Sequence, residues 1–442
     1  MRQSKIKSVF ACLAIISSLI AVPVNAQSTA TGILQLVQQG DFDGARAALD
    51  KTPHTDIDAL FLEAQIFTAQ GQATEAVKIY RAILAVQPGQ IEIRQVLGRT
   101  LLEMGDFEAA RFHFRELLEK DRRDGFRQQY AAVLRQIEQN SPSGVSASLS
   151  FVPSTNINRG TTNTFVQPGD PTSGTISQSG KETSGIGVQF GVSGFYKIPR
   201  AQGGVFTLTA SATQVLYSET VYNVFQPTVA VRFENGNEAG IWSAEVFARR
   251  TYRRDLVEAG RTQVSNSSAN AFGLAFSGRQ ALTGPNILTY STLIQQTEFD
   301  TIPNQSGPSA TFKLGVQRNI NPTTAINTGV TFGRGLPKGD SFKYRSAAID
   351  LGVSKNWRGG WATFAGVETG VRWYDTGFAP AFGISAKRND KYLTLTASVL
   401  NSTLSWQGFS PRLSCSWQTN SSNIGFYDYD ATECNILLTR GF

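Results

Sequence analysis

The chain has 442 residues, of which 17% are charged, and a formal net charge of +7. This length exceeds that of one ordinary soluble domain. Past the N-terminus, no apolar run approaches the roughly 20 residues that a membrane-spanning helix needs. The composition, with 41 glycines and 28 phenylalanines, favours a β-rich chain with many turns and many aromatic residues.

The N-terminus has the pattern of a secretory signal peptide. Arg2, Lys5 and Lys7 form a basic region, residues 9–22 are mostly apolar, and small residues precede Ala26. This pattern predicts a signal peptide over residues 1–26 that is cleaved after Ala26. The mature chain is therefore expected to leave the cytoplasm.

Two cysteines remain in the predicted mature chain. Cys415 and Cys434 flank residues 419–430 evenly, so a hairpin there would place them opposite each other. The compartment outside the cytoplasm is oxidising. A cross-strand disulfide and two free thiols both remain open at this point, because a disulfide depends on a geometry that spacing does not give.

Residues 27–140 show a helical and repetitive pattern. Three pairs of similar residues are displaced by 34 positions: Ala64 and Gly98, Ala76 and Ala110, and Tyr80 and Phe114. Small residues let paired helices approach closely, and the aromatic residue fills the groove against the next pair. This segment resembles the tetratricopeptide repeat, so we predict a helical solenoid. The alternative is a plain helical bundle.

Such stacks present a concave surface to extended or folded partners. By the register of the repeat, Phe61, Gln65, Arg99 and Glu103 are candidates to line that surface, although each could also be an ordinary solvated position. The segment carries 13 basic and 16 acidic residues, a net charge of −3. This balance argues against nucleic-acid binding.

The pattern changes to alternating apolar and small polar residues from residue 145 to residue 442. In residues 205–213, Phe206 and Leu208 alternate with Thr207 and Thr209. This alternation predicts strands with one lipid-facing side, and the chain ends on an aromatic residue, Phe442, as outer-membrane barrels do. A soluble β-sandwich alternates in the same way, but it would need a second sheet over each apolar face. We therefore predict an α + β membrane protein with a C-terminal transmembrane β-barrel.

The strand number follows from the topology. The preceding helical segment and the end of the last strand should both lie on the periplasmic side, so the number of strands should be even. About 15 apolar runs are present, so at least one boundary between them must be wrong, and we predict 14 strands, with 16 as the alternative. Long loops face outward in such barrels, and four segments are candidates for them: residues 154–182, 252–268, 333–342 and 419–429.

Four arginines cluster near the predicted end of a strand: Arg249, Arg250, Arg253 and Arg254. They could form a rim that contacts anionic lipid heads, or they could form a selective constriction in the lumen.

The sequence provides no basis for an enzyme, a cofactor or a metal site. His54 adjoins a proline and His113 lies within a repeat helix, and no histidine lies beyond residue 113. The cysteines have no zinc-site spacing, and the glycines around Arg334 lack the lysine of a phosphate loop. We expect a protein without catalytic activity.

Several local segments resemble the surface lipoprotein assembly modifier (Slam) family in its C-terminal barrel domain. They follow the first strand (Val152-Pro153-Ser154-Thr155-Asn156-Ile157-Asn158) and lie near the end of the chain (Gly408-Phe409-Ser410-Pro411-Arg412-Leu413, Ser422-Asn423-Ile424, Tyr427-Asp428-Tyr429-Asp430 and Arg440-Gly441-Phe442). The resemblance implies periplasmic repeats joined to a 14-stranded outer-membrane barrel. It also implies a translocator of surface lipoproteins or of secreted proteins such as haemophores. The short repeat array and the two cysteines depart from that pattern.

The first functional hypothesis is therefore a protein translocator of the outer membrane of a Gram-negative bacterium, with its helices in the periplasm. Its expected partners are a client protein, outer-membrane lipids and lipopolysaccharide, periplasmic chaperones and the barrel assembly machinery. One alternative is an exopolysaccharide export channel, although such channels are expected to carry longer repeat arrays. The other alternative is a passive porin, in which the helical repeats would have no function.

Overall fold

The structure is a computed structural model. It describes residues 24–51, 57–121, 123, 125–140, 142–163, 180–200, 203–237, 239–253, 256–258, 261–263, 267–379, 384–401, 404 and 409–440. The predicted signal peptide, His54, Arg254 and Phe442 lie wholly or largely outside these residues.

Seven helices come first along the described chain. They are α1 (Val24–Gln39), α2 (Phe42–Leu49), α3 (Ile57–Ala69), α4 (Ala73–Val86), α5 (Ile91–Glu103), α6 (Phe107–Lys120) and α7 (Phe126–Asn140). Helices α2 and α6 have the same kind of N-cap: Asp41 and Asp106 each accept a hydrogen bond from a backbone N–H of the first turn. Such caps satisfy donors that a helix N-terminus leaves unpaired. None of the described helices is long and apolar enough to cross a membrane.

The chain divides into two compact units, and the boundary lies inside α4, between Ile79 and Tyr80. The core of the first unit consists of buried apolar residues from α1 to α3. They are Ile33, Ala45, Leu49, Ala59, Leu62 and Ile66. Arg46 closes one side of this core, because its guanidinium lies over the Phe67 ring and donates to Gln70 at 2.9 Å.

In the second unit, α5 and α6 approach each other closely at a glycine. A Cβ at Gly98 would lie 3.2 Å from the ring of Phe114 and 3.3 Å from Cβ of His113. Leu97 and Leu117 are completely buried beside this contact. The small residue and the aromatic residue of the 34-residue repeat therefore pack against each other, as the sequence pattern predicts.

Sixteen strands follow the helices in the part of the chain that the structure describes. They are β1 (Ser143–Ser154), β2 (Gly185–Pro199), β3 (Val205–Tyr217), β4 (Val224–Asn237), β5 (Gly240–Arg253), β6 (Leu256–Glu258), β7 (Arg261–Gln263), β8 (Ala269–Ala281), β9 (Asn286–Phe299), β10 (Gly307–Asn321), β11 (Thr324–Gly335), β12 (Tyr344–Asn356), β13 (Trp361–Ala379), β14 (Ile384–Asn401), β15 (Phe409–Ser422) and β16 (Tyr429–Arg440). Fourteen of them pair in an antiparallel closed barrel, and β6 and β7 form a separate hairpin between β5 and β8. The prediction of a 14-stranded barrel is confirmed.

The alternation along each strand separates a lipid-facing surface from the lumen. Leu208 and Leu216 of β3 are 44% and 42% exposed, whereas the threonines between them point to the other side. Aromatic rings follow one another across the outer surface near the end that carries the helices. Phe206, Phe233 and Trp242 have centroids 4.8 and 5.5 Å apart. Such a row of aromatic residues marks a membrane interface.

The four predicted long loops all join strands at the end of the barrel opposite the α7–β1 link. They correspond to the β1–β2, β5–β8, β11–β12 and β15–β16 connections. The described connections at the other end include short turns, such as the one between Asn321 and Thr324.

The alternation divides the arginine cluster between the two faces. Arg249 lies opposite Thr228 and faces the lumen, as does Arg253. Arg250 faces outward and forms a paired contact with Asp300, with Nη1 to Oδ1 at 2.8 Å. The cluster is therefore neither a single rim nor a single constriction.

The close approach at Gly98 gives a first test. Gly98→Leu would force a side chain against Phe114 and His113, and overpacking of this kind costs about 1–3 kcal/mol. We expect a lower melting temperature of the helices in the full-length protein, followed by circular dichroism at 222 nm. Arg99→Leu, at the neighbouring exposed position, is the control and should melt like the wild type. Equal melting of both variants would contradict the packing role of Gly98.

Candidate functional site at the mouth and seam of the barrel

Helix α6 lies against the mouth of the barrel lumen. Arg279, on the lumen side of β8, donates to Oε2 of Glu119 at 3.0 Å and to Gln317 of β10 at 2.8 Å. Arg115 donates to Oε1 of Glu234, on the lumen side of β4, at 3.1 Å. Side chains of α6 therefore reach lumen-facing groups of two strands, β4 and β8, and Arg279 extends the contact to β10.

The segment around α4 and α5 contacts the turns of the barrel. The backbone N–H of Gly360, in the β12–β13 turn, donates to the carbonyl of Ala85 at 3.0 Å. Gly89 lies close to Pro322 in the β10–β11 turn, and a Cβ there would be 3.3 Å away. In the ring of 14 strands, β4 and the β12–β13 turn are almost diametrically opposite. The helices of the second unit therefore cross the mouth.

The ion pairs that hold the helices in place are individually weak. The side chains of Arg279 and Glu119 are 38% and 31% exposed, and those of Arg115 and Glu234 are 50% and 31% exposed. Partly exposed pairs of this kind contribute at most about 1 kcal/mol each. Burial raises the pKa of Glu119, and the positive charge of Arg279 only partly offsets this. The contact between the helices and the barrel therefore uses specific partners, but breaking its ion pairs costs little free energy.

His113 is the buried titratable group of this helical assembly. Within the described protein, neither ring nitrogen has a hydrogen-bond partner, and the side chain is almost completely buried. Burial lowers the pKa of His113 well below its ordinary value, and the positive charges of Arg94 and Arg81 lower it further. The imidazole is therefore neutral in the folded chain, which fits packing rather than catalysis.

The lumen is lined by small and polar residues with ion pairs across neighbouring strands. Arg232 of β4 pairs with Glu245 of β5 at 2.7 Å. Lys313 of β10 reaches Asp350 of β12 at 2.7 Å, passing over the glycine of β11 between them. Such a surface suits an extended polypeptide or water better than an apolar chain.

A stack of charged and aromatic groups lies near the other end of the lumen. The guanidinium of Arg388 lies 4.6 Å from the ring centroid of Tyr374 and 3.2 Å from that of Tyr427. The same guanidinium donates to both carboxylate oxygens of Asp390, at 2.9 and 2.6 Å. Tyr427 belongs to the β15–β16 connection, so this stack ties that connection to the barrel wall.

The first and last strands form the least extensive junction of the barrel. Their described pairing runs from Ser150 to Ser154 on β1, opposite Glu433 to Leu437 on β16. By contrast, β1 pairs with β2 from Ser143 to Ser154. On the mouth side of Ser150, the described pairings give β1 no partner on β16. We call this junction the seam.

The segments that resemble the Slam family meet at the seam. Asn156 is fully buried, and its Nδ2 donates to the carbonyls of Gly160 and Asp430, each at 2.9 Å. Its Oδ1 accepts from the Gly160 N–H at 2.9 Å. Further along the same loop, Asn163 donates to the carbonyl of Gly425 at 2.9 Å. Segments almost 270 residues apart thus close the loop end of the seam.

Cys415 and Cys434 lie directly opposite each other on β15 and β16, and the structure joins them in a disulfide. Cys415 lies on the same side of β15 as Leu413 and Trp417, which are 41% and 37% exposed. The disulfide is therefore on the outer surface of the barrel.

The four candidate partner-binding residues form two pairs, each one helical turn apart. Phe61 and Gln65 lie on α3 and are half-buried, whereas Arg99 and Glu103 lie on α5 and are exposed. The two pairs belong to different compact units. Among the described residues, no cluster of His, Cys, Asp and Glu has the arrangement of a metal site.

The closed barrel, its lipid-facing surface and the helices across its mouth define an outer-membrane β-barrel protein with periplasmic helical repeats. Residues 144–442 match the model of the family described as surface lipoprotein assembly modifier, and residues 67–137 match a tetratricopeptide repeat model. The chain belongs to the surface lipoprotein assembly modifier family. The fold, the location and the family membership predicted from sequence are confirmed.

Several solved outer-membrane barrels are similar in outline. A loop L8 deletion mutant of OmpT from Vibrio cholerae is 9% identical, with a TM-score of 0.36, and the match covers 67% of this chain and 100% of that one. OprD from Pseudomonas aeruginosa is 11% identical, with a TM-score of 0.31 and coverage of 66% and 92%. OccAB4 from Acinetobacter baumannii is 9% identical, with a TM-score of 0.35 and coverage of 67% and 98%. Values this low carry no argument about function. A comparison with curated proteins finds no match.

Sequence reasoning missed the residues that join the helices to the barrel. Glu119 and Arg279 look like ordinary surface charges in the sequence, because the pairing joins positions 160 residues apart. Asn156 was noted only as part of a resemblance. Its position directly after a strand, in a run with a second asparagine, is the signal that could have marked it as a structural amide.

The buried amide at the seam gives a second test. Asn156→Ala removes three hydrogen bonds, among them those to the carbonyls of Gly160 and Asp430, whereas the Gly160 N–H keeps Asn158 as an acceptor. Each buried backbone group left unpaired costs about 1–3 kcal/mol. We expect the barrel to lose its compact, fast-migrating form on unheated gels at a lower temperature than the wild type. Asn304→Ala, at an exposed position in another loop of the same end, should leave that temperature unchanged. If both variants behave like the wild type, Asn156 does not hold the seam.

The buried histidine gives a third test, because its pKa is lowered in the folded chain. As the pH falls below about 6.5, the unfolded chain binds a proton at His113 that the folded chain does not bind. Helix stability should therefore decrease between pH 7 and pH 5.5 in the full-length protein. His113→Leu should show a smaller decrease, measured as the melting temperature at 222 nm. An identical pH dependence in both proteins would show that His113 is protonated without cost.

Proposed function

We propose that this protein is an outer-membrane translocator that receives a client in the periplasm and delivers it to the cell surface. The client is a surface lipoprotein or a secreted haemophore-type protein. The observation that carries this proposal is the seam, where Ser150 to Ser154 pair with Glu433 to Leu437 and the mouth side of β1 has no described partner on β16.

The seam suits the chemistry of a lipoprotein. Its acyl chains favour lipid by about 0.8 kcal/mol for each buried methylene group, so a polar lumen is a costly route for them. An opening between β1 and β16 would let the polypeptide follow the lumen while the acyl chains stay in the membrane. The short pairing lowers the number of backbone hydrogen bonds that such an opening must break.

The helices across the mouth fit the first step of this route. They block a direct path from the periplasm into the lumen, and the ion pairs of Arg279 with Glu119 and of Arg115 with Glu234 are weak enough to be exchanged for contacts with a client. A passive porin would gain nothing from such a barrier. We therefore propose that client binding to the helices releases part of the mouth.

We propose that Phe61 and Gln65 of the first unit and Arg99 and Glu103 of the second unit each contact the client. Exposed Arg99 and Glu103 lie one turn apart on α5, and they offer opposite charges that an extended chain can pair with. We propose outer-membrane lipids and lipopolysaccharide as further partners. Periplasmic chaperones and the barrel assembly machinery would serve the client and the barrel before transport.

The test is protease shaving of intact cells that express the protein together with a client lipoprotein. A cleaved client indicates delivery to the surface, and a protected client indicates retention. Cells without the protein should retain the client. If they display it normally while losing a surface polysaccharide, the protein is an exopolysaccharide channel instead.

Locking the seam gives a fourth prediction. Ser150→Cys with Leu437→Cys places two thiols at directly opposite positions of β1 and β16. When this pair is oxidised, we expect client display in the shaving assay to fall to less than about a tenth of the wild-type level, because the seam can no longer open. Reduction should restore display.

The matched control is Ser146→Cys with Ser193→Cys, which joins β1 to β2 at directly opposite positions on the same face. This pair should leave display at the wild-type level. Normal display through a fully oxidised seam, at a barrel level equal to that of the control, would show that the client does not pass there.

A further inference from the structure

A basic cavity of about 710 Å³ opens near the loop end of the barrel, at the strands β11 to β14. Its lining includes Arg334, Arg345 and Lys387, together with Trp373 and Asp375. These residues lie on four strands that are consecutive both along the chain and in the barrel. Nothing in the proposed transport route uses this cavity.

The cavity lies at the rim of the barrel, where Arg334, Arg345 and Trp373 of its lining are on the lipid-facing side and Tyr374 and Arg388 are on the lumen side. Arg334 and Arg345 are directly opposite each other, and Arg345 is directly opposite Trp373, so all three share one face. On the same face, Phe332 lies two residues from Arg334 on β11 and is 54% exposed. Ile349 lies four residues from Arg345 on β12 and is 60% exposed. Both belong to the apolar surface that contacts acyl chains.

The height of the cavity corresponds to a headgroup. Four residues separate Arg345 from Ile349, about 13 Å along a strand at about 3.3 Å per residue. The apolar band of such a barrel is about 25 Å tall. On β12 the outward residues between the cations Arg345 and Lys355 are all apolar (Ala347, Ile349, Leu351 and Val353), so Arg345 lies at the edge of that band. Trp373, 39% exposed beside it, has the position of an interfacial aromatic residue. A ligand here would have its acyl chains below and its charge at the level of the arginines.

The charge balance of the outward-facing groups favours an anion. Arg334 forms a bidentate pair with Asp375, at 3.0 and 2.6 Å. The charges of Arg345 and Lys387 act on the same Asp375 carboxylate, but within the described residues neither forms an ion pair. The fourth basic residue of the lining, Arg388, is neutralised by Asp390 on the lumen side. The three outward cations therefore exceed the one outward carboxylate by two charges.

Another outward arginine at the same end shows that such charges can be neutralised internally. Arg250 pairs with Asp300, at 2.8 Å between Nη1 and Oδ1, and its charge is balanced. The excess of positive charge at β11 to β14 contrasts with the balanced charge at Arg250.

We propose that this cavity binds a phosphorylated glycolipid of the outer leaflet, with a phosphate on Arg345 and Lys387 and a sugar against Trp373. Arginine and lysine bind phosphate through charge-assisted hydrogen bonds, and the open lipid-facing side admits a molecule that is already embedded in the membrane. The occupant therefore comes from the bilayer and not from solution. This inference rests on the outer-membrane location of the proposed function, but not on client transport.

The test uses the full-length protein purified in detergent and mixed with bisphosphorylated, hexa-acylated diglucosamine glycolipid. Binding is measured by native mass spectrometry over a range of glycolipid concentrations. Arg345→Ala with Lys387→Ala should weaken binding about tenfold or more. Asp375→Asn should strengthen it, because Arg334 is then free to bind phosphate. Arg318→Ala, which removes an exposed outward cation at the opposite end of the barrel, is the matched control and should bind like the wild type.

A competition binding experiment distinguishes the possible sources of the phosphate group. The same glycolipid without phosphate groups should bind at least about tenfold more weakly, and phosphatidylglycerol should compete poorly. Equal binding by the double variant and the wild type would overturn the site. Full competition by phosphatidylglycerol or by millimolar inorganic phosphate would overturn the assignment to a glycolipid. A wild-type protein that displays its client but binds no glycolipid would disprove this inference and leave the proposed function intact.

Discussion

The constraint on which this structure depends is the pairing of backbone groups within lipid. A strand edge that faces acyl chains finds no water, and each unsatisfied N–H or C=O costs several kcal/mol. Closure of the 14 strands removes the edges almost everywhere. At the seam, closure relies on a short stretch of pairing around Ser150 and on side-chain amides such as that of Asn156. The least satisfied part of the barrel is therefore also the part where two distant chain segments meet.

Much of the fold could be predicted from the sequence because it depends on local periodicity. Alternation such as that of Phe206 and Leu208 marks the strands, and the 34-residue spacing of Ala76 and Ala110 marks the helical repeat. That the strand number is even followed from topology, since both ends of the barrel domain had to lie on one side. Each of these features is present within a few neighbouring residues or a fixed repeat.

The candidate site was harder to predict from the sequence because its contacts join residues that are far apart in the chain. No periodicity connects Glu119 to Arg279, or Asn156 to Asp430. The arginines from Arg249 onward looked like one cluster in the sequence, but strand alternation sends consecutive residues to opposite faces. Whether the two cysteines form a disulfide depends on the register of β15 and β16. Their spacing in the sequence suggests this register, but only the observed strand pairing establishes it.

The disulfide between Cys415 and Cys434 has a mechanical consequence. It fastens β16 to β15 on the outer surface, so the last strand cannot peel away alone. If the barrel opens next to β16, it must do so on the β1 side, and β15 and β16 would then move together. The bond thus keeps the last two strands paired at a junction where the pairing with β1 is short.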